Sequence, residues 1–179
     1  MTMLRAVFVL LLGVAIGHPL AAQVKPAQAP SRDKVMAAAK AIMQDVRYCT
    51  FITIGTDGQP QARVVDASVS DSGFVVWIGT NRVTRKVADI LKDPRVALMY
   101  FNPADQEYVT VIGKAVVDAD MTHKKTQWKP SWGSMVKDEY RGDDFTLIRV
   151  QPVRLEISSV RRGIFNDPAN WKPTIVELP

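Results

Sequence analysis

This 179-residue sequence has one cysteine and two histidines. The single thiol, Cys49, excludes an intrachain disulfide and any thiolate metal site, whichever compartment the chain occupies. It stands between Tyr48 and Thr50 in an apolar stretch, which predicts a buried, inert thiol. His18 falls in the leader described below, so His123 is the only histidine left for the folded part. That removes clustered-histidine zinc sites and any Ser/His or Cys/His triad with a choice of bases, and no metal site is expected. Beside Lys124 and Lys125, His123 reads as a solvated surface residue. The net charge is +5, but its basic residues are scattered rather than gathered in a stripe, which argues against a nucleic-acid surface.

What is present is a globular composition, 47% hydrophobic and 23% charged, enough for one domain with a sizeable core. The first residues stand apart from it. Arg5 provides a positive start, 6–17 is an apolar run, and Leu20-Ala21-Ala22 ends in small residues, the pattern of a secretory signal peptide over 1–22. The run holds about a dozen residues against the roughly 20 needed to cross a bilayer, which disfavours the alternative of a retained anchor. No cysteine follows it and no Arg-Arg pair precedes it, so the pattern is that of general export of an unfolded chain. The expectation is a periplasmic or secreted protein, free of the membrane after cleavage. Residues 23–30, rich in Pro, Ala and Gln, read as a flexible spacer, 31–160 as the folded domain and 161–179 as a C-terminal tail.

Apolar positions at three- and four-residue spacing predict an amphipathic helix over 32–46. Short strands follow: 48–55 and 61–69 form a hairpin around Asp57-Gly58, and 74–79 is apolar enough for a core strand after a turn at 70–73. Further strands are read at 95–101, at 107–117, and at 145–150 with 153–160, the last as one long or two short strands around Pro152. Two helical pieces interrupt them, at 84–92 and at 120–128 with Asp120 or Thr122 as cap. Many strands with brief turns argue for a mainly β fold with flanking helices, a small antiparallel barrel, with a sandwich left open by periodicity alone.

Two positions suggest chemistry. Arg63 shares a strand face with Val65 and Ala67, opposite Val64, Asp66 and Ser68, and it needs either a partner, a ligand or an edge position with its head in water. Thr84-Arg85-Lys86 places a hydroxyl and two cations at a helix start, where unpaired backbone N–H groups favour an anion. The bland alternative is a solvated basic first turn.

The ordered series Arg63-Val64-Val65, Gly79-Thr80-Asn81, Thr84-Arg85-Lys86, Asp93-Pro94-Arg95-Val96 and Val109-Thr110-Val111-Ile112-Gly113-Lys114-Ala115 resembles the pyridoxamine 5'-phosphate oxidase superfamily, in size its short general-stress-protein branch. The resemblance implies a split β-barrel that binds FMN in a groove at a homodimer interface. Carried over by position, Arg63, Val64, Val65, Asp66, Ala67 and Ser68 would run beside the flavin ring and ribityl chain. Gly79 and Thr80 would lie near the cofactor, Arg85 and Lys86 would hold its phosphate with Thr84 assisting, and Tyr108 stands where the family often has a glutamine. Trp132 would suit an aromatic that approaches the neighbouring subunit's flavin, while both Trp128 and Trp132 also read as a simple cover for the barrel end. Ser68 replaces the oxidase's substrate lysine, and 161–171 does not reproduce the oxidase's C-terminal segment. The sequence therefore points to an FMN-dependent oxidoreductase of another small molecule rather than vitamin B6. A non-catalytic module holding FMN or another flat cofactor such as a deazaflavin or haem is the alternative, as is the same scaffold with no cofactor.

Overall fold

The computed structural model describes residues 29–70 and 73–179; the expected signal peptide, spacer residues 23–28 and Asp71-Ser72 of the expected turn lie outside the described residues. Helix α1 (Arg32–Asp45) begins where Ser31 accepts a bond from the Lys34 amide, and it buries Val35, Ala38, Ala39, Ile42 and Met43. The strands are β1 (Tyr48–Ile54), β2 (Pro60–Val69), β3 (Val76–Asn81), β4 (Arg95–Asn102), β5 (Glu107–Asp118), β6 (Phe145–Ser158) and β7 (Thr174–Glu177), with α2 (Arg85–Lys92) and α3 (Met121–Gln127) between them. All pair antiparallel in the order β3-β2-β1-β4-β5-β6-β7, and β3 also pairs with β6. That last pairing closes a six-stranded barrel and rules out the sandwich.

Strand β6 is one long strand. Phe145 to Val150 lies against β3, and Arg154 to Ile157 against β7, while β5 runs along both parts. The ladder shifts register between Ile112 and Gly113, opposite Pro152, which has no N–H to give. A Cβ on Gly113 would lie 2.3 Å from the Gln151 carbonyl oxygen, so glycine permits this approach. The C-terminal residues, expected as a tail, return to the barrel as β7 and bury Ile164 and Val176.

Strand β3 starts at Val76, two residues later than its pattern suggested, because Phe74 turns the chain at φ 57. It is buried on both faces. Val76 and Ile78 join the barrel core, while Trp77 joins Trp132, Phe145 and Leu147 in a second cluster outside it. His123, half-exposed as expected, sits over Trp77 with ring centroids 5.2 Å apart and bonds Asp118 through Nδ1 at 3.0 Å. Burial pushes the Cys49 thiol up to about 11, which fits an inert role.

At the start of β5 the carboxylate of Glu107 is wholly buried yet fully engaged. Ser159 Oγ donates to it at 2.6 Å, Arg161 Nη2 at 3.0 Å and Arg162 Nε at 3.0 Å. Asp45 and Asp105 lie against the outer sides of these arginines, so the knot ties the C-terminal residues to α1 and β5.

Candidate functional site

Strand β2 is held on two edges over different lengths. Residues 60–66 pair with β1, whereas only Ala67, Ser68 and Val69 pair with β3. Beyond Ala67 the two strands part, leaving the β2 edge at 62–66 without a ladder on its β3 side. A cleft of about 220 Å³ occupies this opening, and Val64, Val65, Asp66, Gly79, Lys86 and Trp132 are among its walls.

The segment after α3 straps the opening. Lys129 Nζ donates to Asp66 Oδ1 at 2.7 Å and to the Ala67 carbonyl at 2.8 Å, and Ser131 Oγ donates to Asp66 Oδ2 at 3.2 Å. On the other rail Asn81 Nδ2 donates to the Met135 carbonyl at 3.2 Å. Arg47 adds a 3.3 Å contact to Asp66. Burial alone would raise the Asp66 carboxyl, but the bonds from Lys129, Arg47 and Ser131 outweigh it and hold the group below its ordinary value. Trp132 seats its ring on Gly79, where a Cβ would come within 2.2 Å of it. The same ring is buried against Phe145 and Trp128, so Trp132 is at once core and cleft wall.

Lys86 puts a cation on the cleft wall, and the charge of Arg63 acts on it. Arg63 does not reach water as an edge-strand arginine would; it lies on the inward face of β2, its side chain 19% exposed. Its Nη1 donates to Thr53 Oγ at 2.7 Å and its Nη2 reaches Asp89 Oδ2 at 3.4 Å, with the ring of Phe51 5.9 Å away. Burial pulls Arg63 below the usual arginine range; Asp89 opposes that pull and the charge of Arg85 adds to it. Half-buried Lys86 is likewise depressed by burial and by the neighbouring charge of Arg63. Neither Arg85 nor Lys86 has a hydrogen-bond or ion-pair partner among the described residues, so both cations are available to a ligand.

Thr84 precedes α2 as its N-cap residue without a side-chain cap bond. Its hydroxyl instead donates to the Asn81 carbonyl at 2.9 Å and lies 3.2 Å from Thr80 Oγ. Thr80 is buried. Of the predicted residues, Val64, Val65, Asp66, Gly79 and Lys86 line the cleft, Arg63 lies close enough to Lys86 and Arg85 for their charges to act on one another, and Thr80 and Thr84 meet each other between β3 and α2. Ala67 and Ser68 face an adjoining hollow with Arg47 and Lys129. Tyr108 lies apart, on the outer sheet face opposite Phe101 and Ser158. Sequence reasoning missed Asp89, Thr53, Lys129 and Ser131. The spacing of Arg85 and Asp89 suggests an exposed i,i+4 pair, whereas Asp89 turns inward.

The comparisons agree with this architecture. The family model described as pyridoxamine 5'-phosphate oxidase like matches residues 34–157. A pyridoxine/pyridoxamine 5'-phosphate oxidase of Anaeromyxobacter dehalogenans is 36% identical over 83 residues, 46% of this chain and 41% of that protein. The match thus spans about two fifths of that relative's length. The solved General Stress Protein 26 of Bacillus anthracis shares the fold with a TM-score of 0.66 at 22% identity, covering 80% of this chain and 98% of that one. A solved F420 reductase does so with a TM-score of 0.53 at 18% identity, covering 65% and 94%.

Proposed function

The chain belongs to the pyridoxamine 5'-phosphate oxidase like family, and from that premise we propose that it is an exported FMN-binding protein, a flavin-dependent oxidoreductase acting on a small molecule other than vitamin B6. The observation that carries this reading is the pair of cations without a partner among the described residues, Arg85 and Lys86, beside Arg63, with Lys86 on the wall of a cleft that has an unpaired strand edge. Such a cluster suits a phosphate, and the free backbone groups of β2 suit the polar rim of a flat ring. Arg63 serves the phosphate as part of a held cluster, and Val64 to Asp66 with Gly79 line the ring and ribityl path. FMN, when bound, supplies the hydride or electron transfer; the protein binds it, orients it and shields it.

A homodimer completes this site. The cleft of about 220 Å³ is below the roughly 300–1,000 Å³ of complete small-molecule sites, so one chain supplies only part of the enclosure. Its rim runs into an outer sheet face carrying exposed Tyr48, Val64, Met99 and Phe101. Register sets Val64, Thr50 and Met99 in one row, and an apolar face of this kind calls for a partner surface. Tyr108 belongs to this face.

The test is direct. The protein isolated from its native compartment should carry a flavin absorbance spectrum and a bound mass equal to FMN, run at twice the chain mass, and begin at Gln23. Protein with no bound flavin that also fails to take up added FMN would sink the cofactor assignment. A deazaflavin is the second reading, favoured by the fold shared with the F420 reductase. The mass of the bound molecule separates the two.

A further inference from the structure

Asp89 is the least economical residue near the cleft. It is fully buried on α2, and a buried carboxylate destabilises a fold unless it is paired and hydrogen-bonded. Only half of it is satisfied. Oδ2 accepts from Thr53 Oγ at 2.7 Å and meets Arg63 Nη2 at 3.4 Å, whereas Oδ1 is buried with no hydrogen-bond partner among the described residues. Thr53 completes a small relay: the hydroxyl that donates to Asp89 also accepts from Arg63 Nη1 at 2.7 Å. The guanidinium is therefore gripped at two nitrogens from β1 and α2, with further N–H donors left over. One eight-residue helix thus carries Arg85 and Lys86, neither with a partner among the described residues, and the carboxylate that meets Arg63.

We propose that Asp89, acting through Thr53, is a positioning residue that fixes Arg63 in a cluster suited to a phosphate monoester dianion. This rests on reading the cluster as a phosphate site. Three cations and one carboxylate leave a net charge of +2. A phosphate monoester carries about −1.5 to −2 at neutral pH, whereas a phosphodiester carries a single negative charge and a ribityl alcohol none. The site accordingly prefers a terminal phosphate to a diester of the same flavin, and Arg63 offers its spare donors from a fixed place.

The test uses the full chain and flavin-fluorescence quenching with three ligands: FMN, riboflavin 4',5'-cyclic phosphate as the monoanionic diester, and riboflavin. The ratio of FMN to riboflavin affinity isolates the phosphate contribution from the ring contacts. Wild type should favour FMN over riboflavin by at least about a hundredfold and over the cyclic diester by about tenfold. Asp89→Asn should lower the FMN-to-riboflavin ratio about tenfold with riboflavin affinity unchanged, Thr53→Val about threefold, and Thr53→Ser should restore it. Thermal unfolding of each variant establishes that it is folded. If Asp89→Asn does not fold, the Thr53→Val and Thr53→Ser pair decides. A high wild-type ratio that neither Asp89→Asn nor Thr53→Val lowers overturns the positioning role alone. A wild-type ratio near one overturns the phosphate reading, and this proposal with it.

Discussion

Two groups of charged side chains lie toward opposite ends of the barrel strands, and they are balanced in opposite ways. Thr53 is level with Val96 and Gly113 by register, six residues along β5 from Glu107, or ~20 Å at roughly 3.3 Å per residue. At the Glu107 end two arginines meet three carboxylates, and every oxygen of the buried carboxylate has a donor. At the Thr53 end three cations meet one carboxylate, and two of those cations have no partner among the described residues. The first arrangement satisfies itself and holds the fold together. The second is left uncompensated among the described residues, which is the pattern expected of charge kept for the proposed phosphate rather than used as a fastener.

The largest expected effect breaks the fastener. Glu107→Ala leaves Arg162 facing a buried gap and should lower unfolding free energy by about 3–5 kcal/mol in urea titration, without changing the FMN-to-riboflavin affinity ratio. The same group titrates. Burial favours its neutral form, but bonds from Arg162, Ser159 and Arg161 prevail and hold the Glu107 carboxyl at about 2 against an ordinary 4.5. Its folded pKa being depressed, its contribution is complete above about 4.5 and is lost as pH falls toward about 2. Stability measured across that window should fall more steeply in wild type than in Glu107→Gln.

Next in size, Arg85→Ala with Lys86→Ala should weaken FMN binding about a hundredfold, about 2.7 kcal/mol, while leaving the urea midpoint nearly unchanged. A large stability loss there instead would erase the contrast between the two ends. Gly79→Ala should cost about 1–3 kcal/mol in urea, because the new methyl meets the Trp132 ring, and should red-shift tryptophan emission as the strap lifts. The smallest effect separates the ends by screening. Raising salt from about 0.05 to about 0.5 M should weaken FMN binding severalfold and leave the Glu107 contribution almost untouched, since buried pairs are screened little.

Much of the barrel is written in local pattern. The Thr-, Ile- and Phe-rich run at 48–55, the Asp57-Gly58 turn and the apolar run at 74–79 mark strands that need no distant information. β7 is not legible because its four residues become a strand only through β6, and Pro152 obscures the continuity of β6 that the glycine opposite makes possible. In the site, Thr84-Arg85-Lys86 declares itself through the helix start, but Asp89 looks like a surface partner for Arg85 until Thr53 and Arg63 draw it inward. Lys129 and Ser131 give no signal at all, since their partner Asp66 is more than 60 residues away.

The closure of the barrel by β3 and β6 also sets a timetable. Val76 waits for Val150 and Asn81 for Phe145, so while synthesis proceeds from the N-terminus, hairpins can form but the cylinder cannot shut until β6 is made. Glu107 waits longer still, for Ser159, Arg161 and Arg162. A chain built this way stays open until β6 is made and becomes a barrel only when β6 meets β3.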